Sequence, residues 1–183
     1  RHMGQRPLVE RSVMADEIER LYQTMYSTVV RFLYRKVWDA DRAEDLAQEV
    51  FIRALAHRPE KPRAWIFAVA ANLARDEARA AVRRKKHLTL LTNDPVTLAS
   101  PMTSPVDQLE RKEQLSKVHE ALAALSQRDQ EVLLLWDAGM SYTEIAQQTG
   151  LAVGAVGTTL ARARKRLVEA YDQQQEEARA ARS

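Results

Sequence analysis

Residues 141–167 have the pattern of a helix, a glycine-centred turn and a second helix that ends in basic residues. Ser141 and Glu144 have the spacing of a capping box, which marks the start of a helix. Gly150 suits the left-handed turn that often ends one. In the second helix, three- and four-residue steps predict an apolar stripe formed by Val153, Val156, Leu160 and Leu167.

The other faces of this second helix are predicted to be polar and basic, with Thr158, Thr159, Arg162, Lys165 and Arg166 outside the stripe. Between residues 150 and 166 there are four basic residues and no acidic one. This layout is typical of a DNA-binding helix-turn-helix. From this segment alone, a plain helical hairpin with a solvated basic end remains an alternative.

The composition favours an all-α protein, because 45% of the 183 residues are hydrophobic, 29% are charged and only 5 are glycine. The chain has no cysteine, which excludes disulfides and thiolate metal sites. Its four histidines are scattered without metal-ligand spacing, and it contains neither a phosphate-binding GK[ST] loop nor a G-x-S-x-G elbow. The carboxylates Glu44/Asp45 and Asp76/Glu77 are interpreted as solvated helix faces. We therefore predict that the protein is not an enzyme and needs no cofactor.

Charge is unevenly distributed along the chain, although its formal sum is only +3. Residues 41–49 hold four acids against one base, whereas residues 75–86 hold six bases against two acids. Separate acidic and basic surfaces predict separate partners, one of them a polyanion.

Five segments are expected along the chain. Residues 1–15 form an N-terminal tail that begins with an expression-tag remnant, 16–86 a helical domain, 87–106 a flexible linker, 107–168 a second helical domain and 169–183 a polar tail that frays. The first domain is predicted to contain helices at about 16–37, 41–56 and 62–86, with a polar loop at 57–61. Apolar positions in the third of these helices are Trp65, Val69, Leu73 and Val82. The predicted fold is thus a bundle of three to four helices, joined by a flexible linker to a small helix-turn-helix domain.

Three segments in this order resemble the two-domain extracytoplasmic-function sigma factors of bacteria. They are AEDLAQEVFIRAL (43–55), PRAWIFAVAANLARDEARAAVRRKK (62–86) and ALSQRDQEVLLLWDAGMSYTEIAQQTG (124–150), and the resemblance covers about residues 16–167. It implies a sigma-2-like and a sigma-4-like domain. It also implies a cytoplasmic, non-inserting protein that binds core RNA polymerase through the β′ coiled coil and the β flap. Such a protein directs the polymerase to promoter DNA and is commonly held by an anti-sigma factor.

For polymerase docking, the resemblance implies the acidic helix, where polar groups at i, i+3, i+4 and i+8 can share one face: Asp45, Gln48, Glu49 and Arg53. Without the resemblance, an ordinary solvated face explains the same pattern. For the minus-10 element, it implies Trp65, Asn72, Arg75, Arg79, Arg83 and Arg84. Asn72 matches an asparagine near the base-capturing loop 57–61, and the arginines are the expected backbone contacts. A core role is the alternative for Trp65.

For the minus-35 element, the resemblance implies Ala155, Thr158, Thr159, Arg162, Arg164 and Lys165. The chain departs here from the family stretch V-G-T-V-K-S-R-L and its preceding Ser, because the corresponding positions hold Ala152, Ala155, Gly157, Thr158 and Thr159. Gly157 inside a helix costs roughly 1 kcal/mol relative to Ala. We expect weaker or differently specified minus-35 binding, and we expect Thr159→Arg to raise that affinity.

Two other functions fit part of the sequence. A free-standing helix-turn-helix regulator would bind DNA alone, usually as a dimer on two half-sites, but it has no use for the acidic helix or the linker. A helical adaptor that binds only protein leaves the basic surfaces unexplained.

Overall fold

The computed structural model describes residues 8–91 and 105–181; the side chains of residues 8–12, 14–15, 85–91 and 105–111 are not described. Within these ranges the secondary structure is helical, as predicted, except that the first helix begins at Leu8, inside the predicted N-terminal tail, rather than at about residue 16. The helices are α1 Leu8–Val37, α2 Ala40–His57, α3 Pro62–Leu91, α4 Pro105–Ala123, α5 Gln127–Asp137, α6 Tyr142–Thr149 and α7 Val153–Ala180. The chain divides into two compact units between Arg83 and Arg84. The predicted linker falls mostly on residues 92–104, outside the described residues, and its first part, 87–91, belongs to α3.

In the N-terminal unit, α1 and α2 form a helical hairpin with a very short connection. Trp38 adopts a left-handed conformation (φ 55°), and its N–H donates to Tyr34 O at 2.7 Å, which ends α1. Asp39 then caps α2, because its carboxylate accepts from Arg42 N at 2.9 Å. Two edge-to-face aromatic contacts, Tyr22–Phe51 at 5.1 Å and Phe32–Phe67 at 5.4 Å, join α1 to α2 and to α3.

The core face of α3 differs from the predicted apolar positions. Trp65, Val69 and Leu73 are only half-buried and Val82 is 68% exposed. The buried side chains are instead Ile66, Phe67, Ala70, Ala71 and Ala74. Phe67, Ala70, Ala71 and Ala74 recur at three- and four-residue spacing, so they form one buried stripe along α3.

In the C-terminal unit, α7 packs against α4, α5 and α6. Ser126 caps α5. The boundaries of α6 follow the predicted signals, because Ser141 and Glu144 form a complete capping box and Gly150 ends the helix at φ 72°. Helices α5, α6 and α7 contribute buried side chains to the core of this unit. They are Val132, Leu135, Ile145, Ala146, Val156, Leu160 and Ala163.

The expectation that the chain frays from residue 169 is wrong up to Ala180, because α7 continues to that residue. The segment is rich in Ala, Glu, Gln and Arg, which are strong helix formers. It also packs against α4. With its amide oriented to satisfy both groups, Gln174 donates to Lys117 O at 3.0 Å and accepts from Ala121 N at 3.1 Å.

None of the described helices is both long and apolar enough to cross a membrane.

Candidate polymerase-binding and nucleic-acid-binding surfaces

The outer face of α2 carries the side chains predicted to dock on polymerase. The opposite face packs into the core through Ala43, Leu46, Ala47, Val50, Phe51 and Ala54. Asp45, Gln48, Glu49 and Arg53 are all exposed, with side-chain exposures of 67%, 50% and 53% for Asp45, Glu49 and Arg53. The structure therefore brings the four residues to one solvent-facing surface, which we call the docking face.

Charges on the docking face are partly paired within the helix. Arg53 Nη2 lies 2.7 Å from Glu49 Oε1, while Arg42 Nη1 lies 3.9 Å from Asp45 Oδ2. Exposed i,i+3 and i,i+4 pairs of this kind contribute only a few tenths of a kcal/mol. Groups of a protein partner can therefore replace these contacts at little energetic cost.

Two apolar side chains beside the docking face were not predicted. Ile52 is 65% exposed and Leu55 is 46% exposed. They follow Asp45 at i+7 and i+10, so they lie on the same side of α2. Protein interfaces commonly place apolar groups at their centre and polar groups around them, and this spacing could have revealed both residues.

An ion pair between an exposed arginine and a largely buried carboxylate joins α2 to the basic helix α3. Arg42 Nη2 and Nε donate to Glu77 Oε2 at 2.7 and 2.9 Å, and the Glu77 side chain is only 11% exposed. The hydrogen bond to Glu77 raises the pKa of the Arg42 guanidinium above its usual value. Glu77 therefore links α3 to α2, and its interpretation as part of a solvated face is wrong.

The exposed side of α3 carries three of the residues predicted for the minus-10 element. Asn72, Arg79 and Arg83 are exposed at i, i+7 and i+11, which places them along one side of the helix. Arg79 is 71% exposed and lies 3.6 Å from Asp76. Arg84 is also exposed, but Arg75 is half-buried and is less accessible to a duplex.

At the start of α3, an aromatic stack borders the turn between α2 and α3. The ring of His57, the last residue of α2, lies 5.2 Å from the Trp65 ring with an angle of 11° between them. Trp65 is half-buried, and Arg58 closes α2 in the left-handed conformation. Asn72 lies seven residues further along, about 10 Å up the helix axis, so it is not adjacent to the turn.

Within the helix-turn-helix, two predicted orientations are wrong. Thr159 is only 6% exposed, because it follows Val156 by three residues and precedes Ala163 by four on the buried stripe. Thr159→Arg would therefore place a guanidinium against the core rather than add a DNA contact. Val153 is 49% exposed, so the buried stripe of α7 begins at Val156 rather than at Val153. Thr158 is exposed and Ala155 is half-buried.

A buried carboxylate fixes α7 to α5. Asp129 is 1% exposed, and its two oxygens accept from Arg162 Nη2 at 3.3 Å and from Arg166 Nη1 at 2.8 Å. Burial by itself raises the pKa of the Asp129 carboxyl. Hydrogen bonds from Arg166, Arg162 and Ser126 outweigh that effect and leave the pKa below its usual value. Sequence reasoning missed Asp129, because a single acid in an amphipathic helix has no distinguishing spacing.

The remaining basic residues of α7 lie on different sides. The guanidinium carbon of Arg164 lies 3.9 Å from the centroid of the Trp136 ring, so this side chain is directed toward α5. Arg164 follows Ala155 by nine residues, which places the two on nearly opposite sides of α7. Lys165 is 78% exposed and lies 3.8 Å from Glu169. Thr158, Arg162 and Lys165 follow one another at i, i+4 and i+7 and share one side of the helix.

Two family models match the chain. The model described as Sigma-70 region 2 matches residues 21–84, and the model described as Sigma-70, region 4 matches residues 115–167. Together they contain the docking face, the exposed side of α3 and the helix-turn-helix.

Several characterised proteins are similar over most of their length. The chain is 31% identical over 162 residues to the extracytoplasmic-function (ECF) RNA polymerase sigma factor SigM of Bacillus subtilis (strain 168), covering 85% of this chain and 95% of that protein. It is 33% identical over 148 residues to the ECF sigma factor SigL of Mycobacterium tuberculosis, covering 76% and 80%. Among solved structures, CnrH in complex with the cytosolic domain of CnrY has a TM-score of 0.63 at 22% identity, over 90% of this chain and 96% of CnrH. RpoE in complex with the anti-sigma factor NepR from Bartonella quintana has a TM-score of 0.61 at 23% identity, over 85% and 97%. At these identities the two structures support the fold alone.

Proposed function

The chain belongs to the ECF sigma factors of the sigma-70 family, which direct RNA polymerase to specific promoters, and from this premise we propose how its surfaces divide that work. In this assignment the docking face binds core RNA polymerase, the exposed side of α3 binds the minus-10 element, and one side of α7 binds the minus-35 element. The observation that carries it is the placement of an acidic and a basic surface on adjacent helices of one unit.

Polymerase docking is assigned to Asp45, Gln48, Glu49 and Arg53, with Ile52 and Leu55 as the apolar centre. Three properties support this. All of these side chains are exposed, their only described ion pairs are exposed contacts within α2, and the opposite side of α2 is committed to the core. The expected partner surfaces are the β′ coiled coil for this unit and the β flap for the C-terminal unit.

Minus-10 binding is assigned to Asn72, Arg79, Arg83 and Arg84, which offer an amide and three guanidiniums to a nucleic acid. Guanidiniums hold phosphates well, because they donate several hydrogen bonds from a fixed plane. The stack of His57 on Trp65 gives an aromatic surface beside the turn, on which an unstacked base could lie. Arg75 contributes less in this assignment because it is half-buried.

Minus-35 binding is assigned to Thr158, Arg162 and Lys165, with Ala155 allowing close approach of the duplex. Thr159 is excluded by its burial, and Arg164 is assigned to bracing α7 on Trp136. Few side chains therefore project from the first turns of α7, which supports weaker minus-35 binding than the family pattern implies.

An anti-sigma partner is proposed for this protein, and a cytoplasmic location with it. The support is that the fold this chain shares with RpoE and CnrH binds the anti-sigma factor NepR in RpoE and the cytosolic domain of CnrY in CnrH.

The α3 assignment predicts the behaviour of the double variant Arg79→Ala, Arg83→Ala. With reconstituted holoenzyme and a fragment of a promoter that it uses, we expect weaker binding. The slope of log Kd against log salt should become shallower by roughly 2, since each lost phosphate contact releases about one fewer counterion. Arg20→Ala, Arg31→Ala on α1 removes the same charge and is the matched control. An unchanged slope in the α3 variant, with helix content preserved, would contradict the assignment.

A further inference from the structure

Asp129 lies at the point where α5 and α7 are tied together. It occupies the first turn of α5, where its N–H donates to Oγ of the capping residue Ser126 at 3.1 Å. Its carboxylate is the buried end of the ion pairs with Arg162 and Arg166, at 3.3 and 2.8 Å. The two arginines are one helical turn apart and reach different oxygens of the same carboxylate, so their guanidiniums lie next to each other.

This cluster has an outward positive charge. One carboxylate faces two guanidiniums, while the arginine side chains are 54% and 53% exposed against 1% for Asp129. Each guanidinium has five N–H donors, and the carboxylate accepts from one nitrogen of each. The exposed edges of both guanidiniums retain donors that can meet an external acceptor.

Stability alone does not account well for such an arrangement. A buried carboxylate with charged partners is often no more stabilising than apolar side chains of similar size, because its desolvation offsets the attraction. What the carboxylate does provide is a fixed orientation. Long arginine side chains lose much rotamer freedom when they are ordered, and the cost of that loss does not fall on DNA binding when the free protein already holds them in place.

We propose that Asp129 is a positioning residue for minus-35 binding, which holds Arg162 and Arg166 as a fixed pair of guanidiniums that receives one backbone phosphate of the duplex. This inference rests on the proposed function of α7 and adds two residues to it, Asp129 and Arg166. Phosphate is the acceptor whose geometry suits paired guanidiniums, because its oxygens take parallel N–H bonds.

The test is Asp129→Asn in reconstituted holoenzyme, measured on a promoter fragment and on the same fragment with its minus-35 element scrambled. The sign of the effect is diagnostic. Removing a negative charge near DNA should by itself tighten binding to a polyanion. The positioning role predicts the opposite: affinity for the intact promoter falls about tenfold, and the salt slope becomes shallower by about 1. Asp137→Asn, which removes an exposed acid from the same helix, should not weaken binding and should leave the salt slope unchanged.

A double-mutant cycle supplies the second readout. Arg162→Ala should weaken binding in the wild-type chain and cost clearly less in the Asp129→Asn background, because its partner is already released. Arg166→Lys keeps the charge but loses the planar fork, so we expect a loss of about fivefold. If Asp129→Asn loses helix content at every temperature, the affinity of Arg166→Lys is the deciding measurement.

The inference is overturned if Asp129→Asn binds as tightly as the wild type, or more tightly, at a temperature where its helix content is unchanged. Additive costs in the cycle would overturn it as well, and so would wild-type affinity of Arg166→Lys. A wild-type holoenzyme that does not distinguish the intact from the scrambled element would contradict the proposed function of α7 itself, and the inference would fall with it.

Discussion

Replacing both Arg162 and Arg166 with Met lowers the free energy of unfolding of the C-terminal unit by about 3–5 kcal/mol, because it leaves the buried carboxylate of Asp129 without its charged partners. Methionine keeps most of the aliphatic packing of each arginine, so the loss reports on the charge pairing. The measurement is urea unfolding followed by Trp136 emission, in a chain whose Trp38 and Trp65 are replaced by Phe. The matched control, Arg128→Met with Lys165→Met, removes two exposed cations and should cost less than about 1 kcal/mol. An equal loss in both chains would contradict this account of Asp129.

The unfolding free energy of the Arg162→Met, Arg166→Met variant should also depend differently on pH from that of the wild type. In the wild type the pKa of Asp129 is lowered from its usual 3.8, so its contribution to stability is present above that pH and is lost as the pH falls through the lower, folded-state value. Without the arginines, burial is left to raise the pKa of this carboxyl. The difference in unfolding free energy between wild type and variant should therefore narrow as the pH falls from about 7 to about 4. A constant difference would point away from Asp129 as its source.

Reversing two charges on the docking face, by Asp45→Lys with Glu49→Lys, should reduce affinity for core RNA polymerase by at least about tenfold. Like charges brought together at an interface cost several kcal/mol. Both side chains are exposed and contribute little to the packing of α2, so helix content should be preserved. The measurement is titration of labelled protein with core enzyme, followed by fluorescence anisotropy.

Asp172→Lys with Glu176→Lys is the control for that experiment. These two exposed acids of α7 have the same i,i+4 spacing and undergo the same change in charge. Their replacement should leave core binding close to the wild type. Equal losses in the two double variants would indicate a general effect of net charge and would remove the docking assignment.

Local signals in the sequence were sufficient for the helices and several of their ends. Ser126, Ser141 and Gly150 act through hydrogen bonds and backbone angles within a few residues, so their roles can be deduced without the rest of the chain. The family resemblance likewise depends on the order of short motifs, and the matches to regions 2 and 4 confirm it.

The side-chain environment of the candidate sites depended on contacts between helices, which periodicity does not specify. Thr159 looked polar and outward, yet its register relative to Val156 buries it. Asp129 gains its partners 33 and 37 residues away. Glu77 is removed from solvent by Arg42 on another helix. The polar composition of residues 169–183 predicts fraying, but α7 continues to Ala180 and Gln174 contacts α4, which composition does not reveal.

The most direct test of the central claim is run-off transcription with bacterial core RNA polymerase on a pool of promoter fragments, with and without this protein. A sigma factor predicts transcripts that begin at discrete sites on a subset of fragments, and only when the protein is present. Absence of any protein-dependent start site, together with tight binding of the protein alone to duplex DNA, would contradict the account and indicate a free-standing helix-turn-helix regulator.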